Sequence, residues 1–536
     1  MIATILSVAA STTLPFRDVS ADSGIGFVQH SGAIGERWLP EIMGGGVALI
    51  DFDRDGDLDV YLVQGRSFDP TVPGPSDRLY RNDGGLRFTD VTDAAGIASF
   101  SDYGMGAAVG DFDGDGWDDI YVTNLGPNRL LRNDRHGGFV DVTAAAGVDD
   151  DRMSLPATFF DMDADGDLDL FVGAYLQWSL ALHKPCRSNA SALDYCSPKV
   201  FRPEVDRLFE NLGDGTFRNV TIASGMNTAF GPALGVVAAD LDGDGRLDLY
   251  VANDGAANQL WLNQGGGRFR NEALIAGVAL NMDGLAEASM GIDAGDADGD
   301  GDTDLFMTHL SGETNTLYVN AGDGFFDDRS ATTGMATPSA PLTGFGTRFI
   351  DYDGDGDLDV FVTNGGVMLI SEQLARGDDM PLRMPSLLLQ NDGSGRFADV
   401  TAAAGPALTE LRIGRGLATG DLDDDGDPDL IVTSNGGPVQ VLENIARDNS
   451  SWVGIDLRDG AGAAVSGARV ALRCGDLNLV RSAQRDGSYL SAGDPRVLFG
   501  LADRRGNCDA SVRWPDGRTT QHAGLAIGQY HRIERP

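Results

Sequence analysis

Aspartates alternate around a glycine seven times in this chain, in the pattern D-x-D-x-D-G-x-x-D, with the first Asp at 51, 111, 161, 240, 296, 351 and 421. The first copy sets Asp51, Asp53, Asp55, Asp57 and Asp59 at positions 1, 3, 5, 7 and 9, with Gly56 at position 6. The next two run through Asp111, Asp113, Asp115, Trp117 and Asp119, then Asp161, Asp163, Asp165, Asp167 and Asp169. Asp240, Asp242, Asp244, Arg246 and Asp248 follow, and after them Asp296, Asp298, Asp300, Asp302 and Asp304. The last two copies are Asp351, Asp353, Asp355, Asp357 and Asp359, and Asp421, Asp423, Asp425, Asp427 and Asp429. Like charges at this density are costly without a neutralising partner. Carboxylates at alternate positions of a tight loop converge on one point, and glycine lets the chain turn beneath an ion held there. A carbonyl at position 7 completes the oxygen shell. Trp117 and Arg246 cannot ligate through their side chains, so a backbone contact is expected at that position. All-oxygen donors without His or Cys select calcium, and magnesium less well. Up to seven calcium ions are predicted, each tying one turn. An EF-hand begins similarly but requires a bidentate Glu at position 12 and flanking helices. Here no acid stands at position 12, and a strand-like run follows.

The elements that must position these loops repeat with them. In the second copy, GMGAAVGD leads into the loop and DIYVTN leaves it, followed by NRLLRND and GGFVDVT. Each run is short, apolar or alternating, and bounded by Gly, Asn or Asp, which reads as strand. Four antiparallel strands per repeat, seven times over, predict an all-β fold: a seven-bladed β-propeller. A second motif, F-x-D-V-T-x-x-A-G, opens the fourth strand at Phe16, Phe88, Phe139, Phe217, Phe269, Phe326 and Phe397. One copy precedes the first loop and none follows the last. A closed ring accounts for both, with the N-terminal strand completing the last blade and no sheet edge left open. Two repeats carry insertions, at 176–205 and at 367–388, the latter with a helix-like stretch.

Composition bounds the function. The formal charge of −41 argues against a nucleic-acid partner, because phosphate binding needs a basic face. Of the 81 acids only 11 are Glu, and short, rigid Asp is what a tight oxygen-ligand loop wants. No apolar run is long enough for a membrane span. Cys186 and Cys196 lie ten apart and Cys474 and Cys508 lie 34 apart, with neither CxxC nor paired His, so two local disulfides in an exported protein are expected rather than zinc. Residues 1–12 are a candidate leader, with Val8-Ala9-Ala10 before a cleavage point but no positive n-region. The propeller is placed at 13–450. From 451 to 536 the Asp loops stop and 12 Arg face 9 acids, which marks a C-terminal β domain expected to dock on the acidic propeller.

The loops resemble the calcium-binding FG-GAP repeats of the integrin α-subunit propeller. The order of segments is similar to that of the cartilage acidic protein 1 family and its bacterial relatives. The matching stretches include LPEIMGGGVALIDFDRDGDLDVYLVQG at 39–65, DRLFENLGDGTFRNVT at 206–221 and LGVVAADLDGDGRLDLYVANDG at 234–255. The tail GSYLSAGDPRVLFGL at 487–501, followed by VRWPDGR, resembles the ASPIC/UnbV domain. The resemblance implies an extracellular or periplasmic protein that binds calcium and takes part in protein, glycan or matrix contacts. The leading expectation is a non-enzymatic binding scaffold with a protein or glycan ligand. The alternative is a carbohydrate-active or biosynthetic enzyme with a central pocket, using groups such as His30, Glu41, Asp254, His309 and Glu313. Arg376-Gly377-Asp378 spells an integrin-ligand tripeptide, which composition alone accounts for.

Overall fold

The computed structural model describes residues 14–69, 71–72, 74–188, 191–378, 380–446 and 451–536. The candidate leader lies outside the described residues. Each repeat forms one four-stranded antiparallel sheet. In the second, Gly104–Gly110 pairs with Asp119–Asn124, then Arg129–Asn133, then Phe139–Asp141. The first two strands are buried along their whole length, because neighbouring sheets cover both faces. Small and β-branched residues therefore run through them without a polar face. The fourth strand buries only its Phe and leaves the next two residues exposed.

Among the described residues seven such sheets are present, and the first strands of all seven neighbour one another in a closed cycle. The fold is a β-propeller. Phe16–Asp18 pairs with Gln440–Asn444, setting Phe16 opposite Asn444, so the N-terminal strand closes the ring as the repeat phase predicts. Apolar cores lie between blades: Ala48, Ile50 and Tyr61 of the first pack with Val109, Ile120 and Phe139 of the second. A further cluster on the axis draws Ile42, Met105, Leu155, Leu234, Met290, Phe345 and Ile413 from the seven blades in turn.

The C-terminal residues form a three-stranded and a four-stranded sheet around Val453, Ile455, Val470, Phe499, Val512 and Trp514. Disulfides join Cys474 to Cys508 here and Cys186 to Cys196 in the first insertion. One segment of the C-terminal region leaves its own sheets. Residues 485–494 enter the propeller axis, where Tyr489 and Leu490 join the central apolar cluster. Leu490 O accepts from Ala107 N–H (3.1 Å), Ala492 O from Leu49 N–H (2.9 Å) and Ser488 O from Ile292 N–H (3.0 Å). The Asp486 carboxylate accepts from Thr158 Oγ1 (2.7 Å) and Ala238 N–H (2.9 Å). Arg348 donates to Arg485 O (2.8 Å), and Asp494 N–H donates to Thr419 O (3.0 Å). These partners come from the first strands of all seven sheets, so the segment is a plug held by the whole ring.

Candidate metal centres

The Asp loops join the first and second strands of each sheet. Glycine at position 6 has φ between +89° and +103° in every copy, a region closed to side-chain-bearing residues without strain. Position 4 is also left-handed, and there Arg54, Ala164 and Asp424 stand where the other loops have Gly. The position-7 N–H donates to the position-5 carboxylate, for example Trp117 to Asp115 at 2.9 Å and Asp302 to Asp300 at 2.8 Å. The position-1 carboxylate accepts the Gly N–H, as in Asp111–Gly116 (2.7 Å) and Asp421–Gly426 (3.0 Å).

The position-9 aspartates (Asp59, Asp119, Asp169, Asp248, Asp304, Asp359 and Asp429) each hold two strands. One oxygen accepts the position-2 N–H of the same loop at 2.8–3.3 Å. The other accepts the N–H of the asparagine ending the third strand at 2.7–2.9 Å. Those asparagines (Asn82, Asn133, Asn211, Asn263, Asn320, Asn391 and Asn444) then reach the preceding blade. Each donates Nδ2 to the position-2 carbonyl of that blade's loop at 2.7–3.0 Å, with Asn82 closing onto Leu422. The loops are thereby linked into a continuous ring. The signal lay in the seven-fold Asn of the third strand, which reads from sequence only as a turn residue.

Carboxylate oxygens cluster as a cation requires. Positions 1, 3 and 9 bring one oxygen each within 4.8 Å of one another in Asp51/Asp53/Asp59, Asp161/Asp163/Asp169 and Asp240/Asp242/Asp248. Asp111/Asp113/Asp115 and Asp296/Asp298/Asp300 do so with positions 1, 3 and 5. Asp51, Asp53, Asp113, Asp161, Asp240, Asp353 and Asp423 each bury an oxygen that no hydrogen-bond donor reaches. Burial and neighbouring carboxylates push Asp51 and Asp161 up to about 6 and Asp111 and Asp421 up to about 7. Burial raises the position-9 acids further, Asp169, Asp248 and Asp304 to about 8 and Asp59 and Asp359 to about 9. Charges held this way are costly unless neutralised in place. An oxygen-only donor set with orphaned buried carboxylate oxygens fits a hard divalent cation. The loops are not equivalent. Arg135 Nε donates to Asp115 (2.6 Å), and Arg246 pairs with Asp244, so an arginine already meets position 5 in two of them.

The C-terminal unit also touches the loops. Tyr530 OH donates to Asp421 Oδ2 (2.8 Å), Gly500 N–H to Asp351 Oδ2 (3.1 Å), and Arg513 to Asp240 Oδ2 (3.4 Å). Arg485 pairs with Asp118 at 2.6 Å, both side chains buried.

The residues considered for acid–base chemistry lie toward the opposite face. His309 is buried, its Nε2 standing 3.7 Å from Glu287. Burial drives its pKa down to about 3. Glu313 accepts the backbone N–H of Ala288 (2.9 Å) and Leu310 (3.3 Å). Asp254 accepts Tyr175 OH (2.6 Å), and Glu41 accepts Tyr195 OH (3.1 Å). His30 N–H donates to Gln64 in the first blade. Among the described residues no hydrogen bond joins any two of these five. Arg376 turns back toward Asp378, 4.0 Å away.

Comparison with known proteins follows the same division. An FG-GAP-like repeat model matches residues 51–122, 111–172, 200–251, 240–307 and 296–362, and an FG-GAP repeat model matches 413–453. An ASPIC and UnbV model matches 459–536. Cartilage acidic protein 1 of Mus musculus is 25% identical over 499 residues, covering 88% of this chain and 70% of its own. The Homo sapiens protein of that name is 24% identical over 495 residues, covering 80% and 71%. Among solved structures, the BP39L lectin from Burkholderia pseudomallei is similar at TM-score 0.44 and 12% identity, over 76% of this chain and 98% of that one. An Agrocybe aegerita lectin is similar at TM-score 0.38 and 19% identity, over 67% and 80%. With these repeats spread around the ring and the ASPIC/UnbV match in the unit that plugs it, the chain belongs to the FG-GAP repeat family.

Proposed function

We propose that the protein is an exported, calcium-binding scaffold that presents one propeller face to a protein, glycan or matrix ligand. The observation that carries this reading is the set of Asp loops whose buried carboxylate oxygens lack donors. Calcium at those turns holds hairpins and, through the asparagine ring, neighbouring blades; its role is architectural. Two disulfides and relatives named for cartilage support an extracellular setting. The plug supports binding over turnover, because Tyr489 and Leu490 occupy the axis where a central catalytic pocket would lie. The enzyme reading is favoured by one feature, the buried His309 beside Glu287.

An array of glycans and secreted proteins, probed with the full chain in calcium and again in chelator, tests the proposal. Calcium-dependent capture without chemical change of the captured partner is expected. Conversion of an arrayed glycan would overturn the scaffold reading in favour of the enzyme, and silence across the array would leave it without support.

A further inference from the structure

The C-terminal unit lies against the Asp loops, so the surface left for a partner is the opposite face, where the second strands end and both insertions begin. Insertions carried on one face of a repeat protein commonly build its binding surface. The first insertion departs from the rest of the propeller in charge. Residues 176–205 hold Lys184, Arg187, Lys199 and Arg202 against Asp194 and Glu204, four cations to two acids in a chain of net charge −41. Lys184 and Lys199 are the only lysines in the sequence. All four cations are exposed, and among the described residues none of them forms an ion pair. Arginines elsewhere on this face do pair, Arg129 with Asp102 and Asp141, and Arg152 with Asp150. Asp194 is turned inward, buried and accepting Leu369 N–H of the second insertion at 3.2 Å.

The disulfide between Cys186 and Cys196 and a row of rings hold this insertion in place. Trp178 stands 5.6 Å from Phe68, centroid to centroid, and Phe68 stands 4.7 Å from Trp38 and 4.8 Å from Tyr103. His183 continues the row, 6.5 Å from Trp178. Trp38, Phe68 and Trp178 are half-buried, so each keeps part of its ring at the surface. The segments that carry them also expose aliphatic side chains: Ile34 is 69% exposed, Leu180 50% and Leu182 53%. An aromatic centre with a polar, charged rim is the anatomy of a protein interface. Exposed Leu and Ile gain by burial against apolar side chains, which a sugar lacks. A flat anionic bilayer would meet the whole face, and the exposed acids Glu36, Asp69, Asp283 and Glu410 on it would repel that surface.

We propose that the first insertion docks an acidic protein segment. Its carboxylates meet Lys184, Arg187, Lys199 and Arg202, and its apolar side chains rest on Trp178, Leu180 and Leu182. The inference rests on the binding-scaffold reading and deepens it by naming the class of partner and its place.

The test is selection of short random peptides displayed on phage, with the full chain in calcium as bait. Enrichment of sequences that combine Asp or Glu with Leu, Phe or Trp is expected. The enriched peptides, once synthesised, should protect both lysines from an amine-acetylating reagent, read at each site by mass spectrometry. Lys184→Glu combined with Lys199→Glu should weaken peptide binding about 10-fold or more, and Leu180→Ser combined with Leu182→Ser about 10-fold. All four positions are exposed, so these variants keep the fold. Enrichment without an acidic bias, full reactivity of both lysines with peptide bound, or unchanged affinity in both double variants overturns the proposal. Phosphatidylserine vesicles and heparin are the comparison probes. Binding to either that the lysine variant abolishes, with no acidic peptide enriched, also overturns it and assigns the cations to a membrane or a glycan. A protein captured on the array that leaves both lysines reactive loses this docking surface and keeps the scaffold.

Discussion

Each asparagine that ends a third strand serves three hydrogen-bonding roles at once. Asn133 donates its backbone N–H to Asp119, its Nδ2 to Phe52 O of the preceding blade, and accepts Arg135 N–H on Oδ1. Buried at this junction, its amide has no water to replace lost partners. Asn133→Ala is expected to cost about 2–3 kcal/mol, since more than one buried backbone group loses its partner. Urea unfolding measures this directly, and a loss under about 0.5 kcal/mol would show that the ring link is dispensable. Position 4 supplies the opposite case. Ala164 is held at φ +65°, where four of the other loops use glycine. Left-handed backbone costs a Cβ-bearing residue about 1–2 kcal/mol, partly offset by the greater unfolded-state entropy of glycine. Ala164→Gly should therefore leave stability unchanged or raise it by up to about 1 kcal/mol, read as the denaturation midpoint.

At the scale of the hairpin, the turn and the calcium proposed for it would act as one device. The loop backbone is already folded by Asx-type bonds from position 7 to position 5 and from Gly to position 1. What those bonds leave unsolved is the outward carboxylate charge. Asp53 isolates that contribution, because it is half-buried, one of its oxygens has no donor, and it belongs to the clustered set with Asp51 and Asp59. Asp53→Asn is expected to remove one calcium from the stoichiometry found by metal analysis. It should also lower the melting temperature in calcium while leaving it equal to, or above, that of the parent protein in chelator. A fall of the same size in both conditions would assign Asp53 a purely structural role. Chelation of the parent protein should lower its melting temperature markedly, and an unchanged melting curve would dispose of calcium altogether. Much of this element was legible beforehand. The alternate aspartates and invariant glycine encode a local geometry, and local geometry needs only neighbours in sequence. The unequal demand of the loops was not, because Arg135 reaches Asp115 from a different turn of the same blade.

For the whole molecule, the plug decides how the parts answer to one another. A basic C-terminal region beside an acidic propeller suggests screening-sensitive electrostatic docking. The interface is built differently: Arg485 and Asp118 are both buried, and hydrogen bonds from seven strands, four of them backbone to backbone, hold residues 485–494. Buried pairs are screened little by salt. Domain spacing measured by small-angle scattering is accordingly expected to stay fixed from low salt to about 1 M, where the Debye length is about 3 Å. Expansion over that range would mean that surface charge does the holding. Tyr489 anchors the plug, fully buried with its hydroxyl donating to Met43 O at 2.7 Å. Tyr489→Ala should cost about 3–5 kcal/mol, the range for a buried aromatic, and loosen the two parts together. A stability loss with unchanged spacing would place Tyr489 in the core without making it the anchor.

Repeat phase, aspartate spacing and ring closure were determined by the sequence alone, because each is a statement about residues near one another in the chain or about a period that counts itself. The strand leaving Phe16 had to close the last blade since no later copy could. The tertiary structure decided what period cannot encode. Asn82 meeting Leu422, 340 residues away, and Leu490 bonding Ala107 from another domain are long-range pairings of chemically ordinary residues. Nothing in an asparagine at a turn, or in a serine–tyrosine–leucine stretch, specifies its distant partner. That choice falls to the packing of seven blades around one axis, which puts a hydrogen-bond acceptor and an apolar lining where these side chains arrive.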